Sequence, residues 1–121
     1  MKRFVGALVA LALTTAGAAQ AEKKYGPGVT DSSIKIGQTM PYSGPASAYG
    51  VVGKAEVAYM AMVNEQGGVN GRKIDLLSLD DGYSPPKTVE QTRKLVEQEE
   101  VLMIYQSLGT PTNTAIQKYL N

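Results

Sequence analysis

The sequence has 121 residues, enough for one small domain, with 12 Lys and Arg against 11 Asp and Glu and a formal charge of +1. This balance excludes a strongly basic nucleic-acid surface, and no stretch is long enough to predict a membrane-spanning helix. The sequence contains no cysteine and no histidine. Disulfides, Cys–His pairs, Ser–His–Asp triads and ordinary zinc sites are therefore excluded, which favours a binding protein without a cofactor over an enzyme.

Residues 1–21 have the pattern of a secretory signal peptide. Positions 2 and 3 are basic, residues 4–13 are apolar but too short to span a bilayer, and residues 19–21 (AQA) offer small side chains where signal peptidase cleaves. An amphipathic first helix is the alternative, but residues 4–13 have no polar face. We therefore predict export and a mature domain of residues 22–121, whose formal charge falls to −1 when the two basic residues leave.

The first part of this domain predicts a strand, a loop and a helix. Residues 22–33 are polar and rich in Gly, so we expect an entry segment with little structure. The stretch SIKIGQTM (33–40) alternates in polarity and predicts a first strand. After the loop 41–50, residues 50–66 predict a helix, because apolar residues recur at three- and four-residue spacings. The resulting stripe consists of Val51, Ala55, Ala58, Tyr59, Met62 and Val63.

The remaining residues repeat this order. Residues 74–79 predict a second strand, and Ser84 followed by two prolines opens a second helix, since Ser can cap and proline is harmless in a first turn. The buried side of that helix is expected at Val89, Thr92, Leu95 and Val96. The apolar run VLMIYQS (101–107) predicts a third strand covered on both faces. A third helix is predicted for residues 114–120.

The order βαβαβα predicts an α/β fold with a parallel sheet and helices on both faces. In such sheets, ligands bind outside the carboxyl ends of the strands. Three loops leave those ends, at 41–50, 80–85 and 107–113, and all are rich in Gly, Pro, Ser, Thr and Tyr. The connections at the opposite end are plain turns and charged residues. We therefore expect the three loops to form the functional rim.

Two candidate sites fail on their spacing. The stretch AYGVVGKAE resembles a phosphate-binding loop but has Ala48 where the first glycine belongs and Ala55 after Lys54. We therefore interpret Lys54 as a solvated helix residue. Asp80 and Asp81 stand at a strand end, but adjacent strand residues point to opposite faces and do not readily share one metal ion. A capping or turn role is the favoured interpretation for both.

The stretch QSLGTPTN (106–113) has the groups of a carboxylate site. Ser107 and Thr110 carry hydroxyls at the end of the third predicted strand. The first amides of the helix that follows have no intrahelical partners, and the helix dipole favours an anion there. Ordinary capping by Thr112 or Asn113 is an equally weighted alternative.

Loop 41–50 has the composition of a second ligand contact. Its two glycines allow close backbone approach, and Ser43 and Ser47 can donate hydrogen bonds. Tyr49, at the helix start, offers a flat apolar face with a polar tip. The alternative is that Tyr42 and Tyr49 only cover the sheet edge. With loop 107–113, this loop predicts a site for a small molecule with an acid group and an apolar part.

Four stretches resemble the start of the leucine/isoleucine/valine-binding protein family, the type 1 periplasmic receptors of ABC importers. They are IKIGQTMPYSGPASAYG, NEQGGVNGRKI, DDGYSPPKTVEQTRKLVEQEEV and LGTPTNTAIQKYLN, and they cover nearly all of the mature chain. The pairing of S-G-P-x-x-x-x-G after the first strand with G-G-(V/I)-N-G before the second is a quite specific feature of the resemblance.

The resemblance implies two α/β lobes that close on a ligand like a hinge, a periplasmic location, an ABC permease as partner and a monomeric full-length protein. The family positions that line the cleft correspond to Ser43, Tyr49, Ser107, Leu108, Gly109 and Thr110. Ser107 and Thr110 match a role in holding the ligand carboxylate, and Tyr49 matches a side-chain-facing position. The family's acidic residue for an amino group lies on the other lobe, so amino acids and other organic acids both stay open as ligands.

Length is the departure from the family pattern, since members are several times longer. We expect a truncated product, with an exposed apolar edge at 101–107 and marginal stability. A flavodoxin-like nucleotide- or flavin-binding envelope protein is the alternative from another class, although the phosphate motifs are missing. A regulatory ligand-sensing domain is a third reading, which the signal peptide disfavours.

Overall fold

The computed structural model describes residues 24–121, so the predicted signal peptide lies outside the described residues. Within that range, no helix is long and apolar enough to cross a membrane. The elements are β1 (Ser33–Met40), α1 (Gly50–Glu65), β2 (Lys73–Asp80), α2 (Pro85–Arg93) and α3 (Thr110–Leu120). A 3₁₀ turn, Ser47–Tyr49, precedes α1, and a π-helical turn, Lys94–Gln98, continues α2.

Strands β1 and β2 form a parallel ladder whose register runs from Ser33 opposite Lys73 to Met40 opposite Asp80. The bounds of β1 are those predicted, and β2 is one residue longer at each end. Adjacent residues of β1 show that helices lie on both faces. The Gln38 side chain donates to Glu56 of α1, whereas a Cβ on Gly37 would lie 3.0 Å from Leu95, beyond α2. The predicted α/β class is confirmed.

The third predicted strand, 101–107, runs parallel to β1 on the edge away from β2, but it is not a regular strand. Its Leu102, Tyr105 and Leu108 amides donate to the carbonyls of Lys35, Gly37 and Thr39. The donors are three residues apart and the acceptors two. Between successive hydrogen bonds, this segment therefore contains one residue more than β1 does. As a result, only one β-bridge forms between them, that of Gly37 with Ile104.

The prediction that this segment is covered on both faces is wrong. Leu102 is 48% exposed and Met103 is 50% exposed, while Val101 is buried. At the other end of the segment, Gln106 has a left-handed backbone with φ 45°, which changes the chain direction before the loop. The expectation of an exposed apolar edge is confirmed.

Helix α1 packs through small residues, not through its apolar stripe. Gly50 and Gly53 are buried, and a Cβ on Gly53 would lie 2.4 Å from the Tyr42 hydroxyl. Only glycine permits this close approach to the sheet. The predicted stripe faces outward instead: Val51 is 65% exposed and Tyr59 58%. The 3.6-residue period identified the helix correctly, but the contact face is set by where the backbone can come closest.

Helix α3 begins at Thr110, four residues before the predicted start. Gly109 precedes it with φ 110°, a conformation that glycine adopts readily, and Pro111 fits the first turn because it needs no amide partner there. On the same face of the sheet, Thr92 and Leu95 are buried as predicted for the second helix. The described core is small: its buried hydrophobic residues are Ile36, Met40, Leu95, Val101 and Ile116.

Candidate functional site

The three predicted loops meet at one rim of the sheet. Thr39, near the end of β1, bonds to two residues of loop 107–113. Its amide donates to Ser107 Oγ at 3.0 Å, and its carbonyl accepts from the Leu108 amide. On the other side, a Cβ on Gly44 would lie 2.8 Å from the Gly82 carbonyl. A Cβ on Gly109 would lie 2.5 Å from the Tyr83 ring. Loop 80–85 therefore touches both of the other loops.

Residues 107–110 are fixed by hydrogen bonds from side chains of α3 to their carbonyl groups, which leaves the Ser107 hydroxyl hydrogen accessible. The Asn113 side-chain amide donates to the carbonyls of Ser107 at 2.7 Å and Gly109 at 2.8 Å, and Thr112 Oγ1 donates to the Leu108 carbonyl at 2.6 Å. Ser107 Oγ accepts from the Thr39 amide, so its own hydrogen is still available to donate. These bonds fix the loop without using that hydrogen.

The start of α3 has no side-chain cap among the described residues. Thr112 and Asn113 lie inside the helix and donate to carbonyls, so the alternative in which they cap its amides is wrong. Thr110 is exposed at the first helical position. Uncapped first-turn amides, the positive end of the helix dipole and two hydroxyls, those of Ser107 and Thr110, form an arrangement that attracts an anion.

Loop 41–50 is arranged differently. Ser43 Oγ donates to Asp80 Oδ2 at 2.6 Å, and the Ser43 amide donates to Asp80 Oδ1 at 3.0 Å. The Tyr42 hydroxyl bonds to Ser78 Oγ within the sheet. Tyr42 therefore covers the sheet, as one alternative expected, but Tyr49 does not, because it is 61% exposed. The predicted donor role of Ser43 toward a ligand disagrees with these bonds, since its hydroxyl hydrogen is already used.

The two adjacent aspartates at the end of β2 have different hydrogen-bond partners, and both stabilise turns. Asp81 is fully buried, accepting from the Tyr83 amide at 2.9 Å and from Thr88 Oγ1 at 2.8 Å. Asp80 accepts from the Gly82 amide and forms an ion pair with Lys87 at 2.9 Å. Partial burial acts to raise the pKa of Asp80, but the hydrogen bonds from Ser43, Lys87 and Gly82 outweigh it and hold this pKa well below its ordinary value.

Sequence reasoning missed two residues that shape the rim. Tyr83 has a left-handed backbone, with φ 61°, and its ring packs against Gly109. Asp80 was assigned a turn role, which its bond to Gly82 fits, but its bonds to Tyr42 and Ser43 cross to another loop. The sequence Asp-Asp-Gly indicated the turn. No local sequence pattern indicates that Asp80 bonds to Tyr42 and Ser43, which lie 38 and 37 residues earlier in the chain.

The surface beside the anion-attracting groups is a shallow groove. A groove of about 530 Å³ follows the outer side of α3 and is lined by Gly109, Thr110, Asn113, Thr114 and Gln117. Among residues 24–121, no group of three or more carboxylates could hold a metal ion. The polar groups at this rim are the hydroxyls and amides of the loops, the start of α3, and the Asp80 carboxylate with its partner Lys87.

Residues 33–121 match the family model described as periplasmic binding protein. A curated relative, Leu/Ile/Val-binding protein homolog 4 from Brucella abortus, is 33% identical over 98 residues, which cover 79% of this chain and 22% of the relative.

Two solved structures are also similar. A fatty acid ABC transporter substrate-binding protein from Thermomonospora curvata has 36% sequence identity to this chain and a TM-score of 0.69. The match covers 79% of this chain and 24% of that protein. A possible leucine/isoleucine/valine-binding protein from Rhodopirellula baltica has 27% identity and a TM-score of 0.64, covering 72% and 25%. The chain thus spans about a quarter of the length of these relatives.

Proposed function

The chain belongs to the periplasmic binding protein family, and from this premise we propose that it carries part of the binding site of a solute receptor. Residues 22–121 form the N-terminal part of the first lobe, and residues 1–21 direct export to the periplasm. The receptor binds a small organic acid and presents it to an ABC permease in the inner membrane. The full-length protein acts as a monomer and catalyses no reaction.

The accessible donors at the start of α3 are the observation that carries this proposal. Ser107 has a hydroxyl hydrogen free to donate, Thr110 is exposed, and no described side chain caps the helix. A ligand carboxylate placed there accepts from these groups and lies at the positive end of the helix dipole. Gly109 contributes its backbone amide to the same contact, whereas Leu108, whose amide donates to the Thr39 carbonyl, contributes by its position.

The names of the relatives support an acid with an aliphatic part. One relative is named for leucine, isoleucine and valine and another for fatty acids. These ligands share a carboxylate joined to an apolar chain. In the proposed arrangement the carboxylate binds at residues 107–110 and the apolar part lies toward the exposed ring of Tyr49. Ser43 contributes to the site by its position and as a hydrogen-bond acceptor.

A titration with matched ligands tests this proposal. The ¹⁵N-labelled 121-residue chain is titrated with octanoate and with L-leucine, and in parallel with 1-octanol and L-leucinol, which lack the carboxylate. We expect the amide signals of Gly109 and Thr110 to shift with the acids alone, at dissociation constants on the order of millimolar, because one surface supplies only a few hydrogen bonds. Equal shifts with the alcohols, or no shifts with either acid, contradict the proposal.

A further inference from the structure

The carboxylate of Asp80 gathers donors from three separate segments. Oδ1 accepts from the amides of Tyr42 at 2.9 Å, Ser43 at 3.0 Å and Gly82 at 3.0 Å. Oδ2 accepts from Ser43 Oγ at 2.6 Å and from Lys87 Nζ at 2.9 Å. Both oxygens are thus saturated, and the donors come from the loop after β1, the loop after β2 and the first turn of α2.

An ordinary aspartate turn accounts for only one of these five bonds. An aspartate at a strand end commonly accepts the amide two residues on, which here is Gly82. The bonds to Tyr42 and Ser43 span 38 and 37 residues and join the starts of two loops that β1 and β2 bring side by side. The neighbour Asp81 provides a contrast, since its bonds to Tyr83 and Thr88 stay within its own segment.

We propose that Asp80 is a positioning residue that holds the ligand loop 41–50 at the rim, through the amide and hydroxyl of Ser43. This inference rests on the proposed function only in naming 41–50 a ligand loop. Ser43 is exposed, and three of the five bonds to the carboxylate come from loop 41–50. Without the carboxylate, the first residues of the loop keep the Tyr42 amide bond to Met40 but lose every described bond of the Ser43 amide and hydroxyl.

Amide hydrogen exchange in the 121-residue chain tests this role with a matched pair of variants. Asp80→Asn and Asp81→Asn each replace one carboxylate by its amide isostere in adjacent residues. We expect Asp80→Asn to raise the exchange rate of the Ser43 amide by about tenfold and to leave the Tyr83 amide within about twofold. Asp81→Asn should raise the exchange rate of the Tyr83 amide and leave that of the Ser43 amide within about twofold, because Asp81 accepts from Tyr83 and not from Ser43.

Two results overturn the proposal. One is an unchanged Ser43 rate in Asp80→Asn, and the other is the same pattern of faster exchange in both variants. The wild-type chain gives an independent test if a variant fails to fold. Ser43 is an exposed residue, yet its amide should exchange about tenfold more slowly than in an unfolded peptide of the same sequence. An unprotected Ser43 amide in the wild type overturns the proposal by itself.

The exchange result and the ligand result are separable. If octanoate and L-leucine cause no shift in the wild type, the proposed function fails while the Ser43 measurements still decide the role of Asp80. If both acids bind and Asp80→Asn leaves the Ser43 amide protected, the proposed function stands and the positioning role is wrong. Asp80→Glu extends the comparison, because it keeps the charge but moves it, and we expect it not to restore protection of Ser43.

Discussion

The two outer loops of the rim, 41–50 and 107–113, have similar compositions but opposite uses of their polar groups. Loop 41–50 uses the Ser43 amide and hydroxyl to fix itself to Asp80. Loop 107–113 is fixed by side chains from inside α3, which leaves the hydroxyl hydrogen of Ser107 and the first helical amides accessible. A serine or glycine in a loop therefore does not identify a ligand contact. A loop donor is a candidate for a ligand contact only where no neighbouring residue already satisfies it.

The largest expected effect comes from breaking the fixed backbone of loop 107–113. Gly109→Ala places a methyl group 2.5 Å from the Tyr83 ring and 2.6 Å from Thr112 Oγ1, at a residue with φ 110°. We expect the free energy of unfolding to fall by about 3 kcal/mol, from backbone strain and the clash together. Urea titration followed by circular dichroism measures it.

The matched control is Gly67→Ala. Gly67 has a similar φ of 103°, but nothing lies within 4 Å of a Cβ built there. The control should therefore lose only about 1 kcal/mol, the cost of the left-handed backbone alone. Equal losses in the two variants would show that the Tyr83 contact does not hold the loop.

The next effect tests the carboxylate that fixes loop 41–50. Asp80→Asn should lower the free energy of unfolding by about 2 kcal/mol at pH 7, because four neutral donors and Lys87 lose a charged acceptor. The pKa of Asp80 is lower in the folded state than in the unfolded state. The ionised carboxylate therefore stabilises the fold fully at a pH above the ordinary aspartate pKa, and this stabilisation is lost as the pH falls below that ordinary pKa toward the lowered one. The difference between wild type and variant should therefore shrink between pH 5 and pH 3. A difference that grows toward acid pH would contradict this assignment.

A pair of smaller effects separates the two loops directly. Thr110→Val removes an exposed hydroxyl and should weaken octanoate binding about fivefold without changing stability. Ser43→Ala should cost about 1 kcal/mol of stability, through its bond to Asp80. Its octanoate affinity should stay within about twofold, because octanoate has no donor for the Ser43 oxygen to accept from. Shift titrations and urea unfolding on both variants measure the four quantities. A loss of stability in Thr110→Val together with a loss of octanoate affinity in Ser43→Ala would contradict the different roles assigned to the two loops.

Much of the fold was predictable because it depends on local patterns. Alternation defined β1 to the residue, and the apolar period located α1. The face that α1 buries was not predictable, since it depends on how closely Gly53 approaches Tyr42. The run 101–107 suggested a covered strand, but two extra residues relative to β1 prevent a regular ladder. Hydrophobicity alone carries no information on register.

The candidate site was predictable in place but not in detail. Parallel strands put loops 41–50, 80–85 and 107–113 at one rim, and the bonds of Thr39 together with the Gly82 and Tyr83 contacts confirm that placement. The assignment of Ser43, Tyr49 and residues 107–110 to a ligand stays a prediction. The bonds of Ser43 to Asp80 required knowledge of which loop lies beside which, and no spacing in the sequence contains it.

The smallest expected effect concerns Lys87, the charged donor to Asp80. The pair is 2.9 Å apart, but the Lys87 and Asp80 side chains are 42% and 31% exposed, so water and salt screen the attraction. Lys87→Met should therefore cost only about 0.5 kcal/mol, and the cost should shrink further in 1 M NaCl. Ser43 should keep its amide protection in this variant, because the backbone bond to Oδ1 does not involve Lys87. A loss of Ser43 protection equal to that in Asp80→Asn would assign the position of loop 41–50 to the ion pair instead of to the carboxylate's bonds with the backbone.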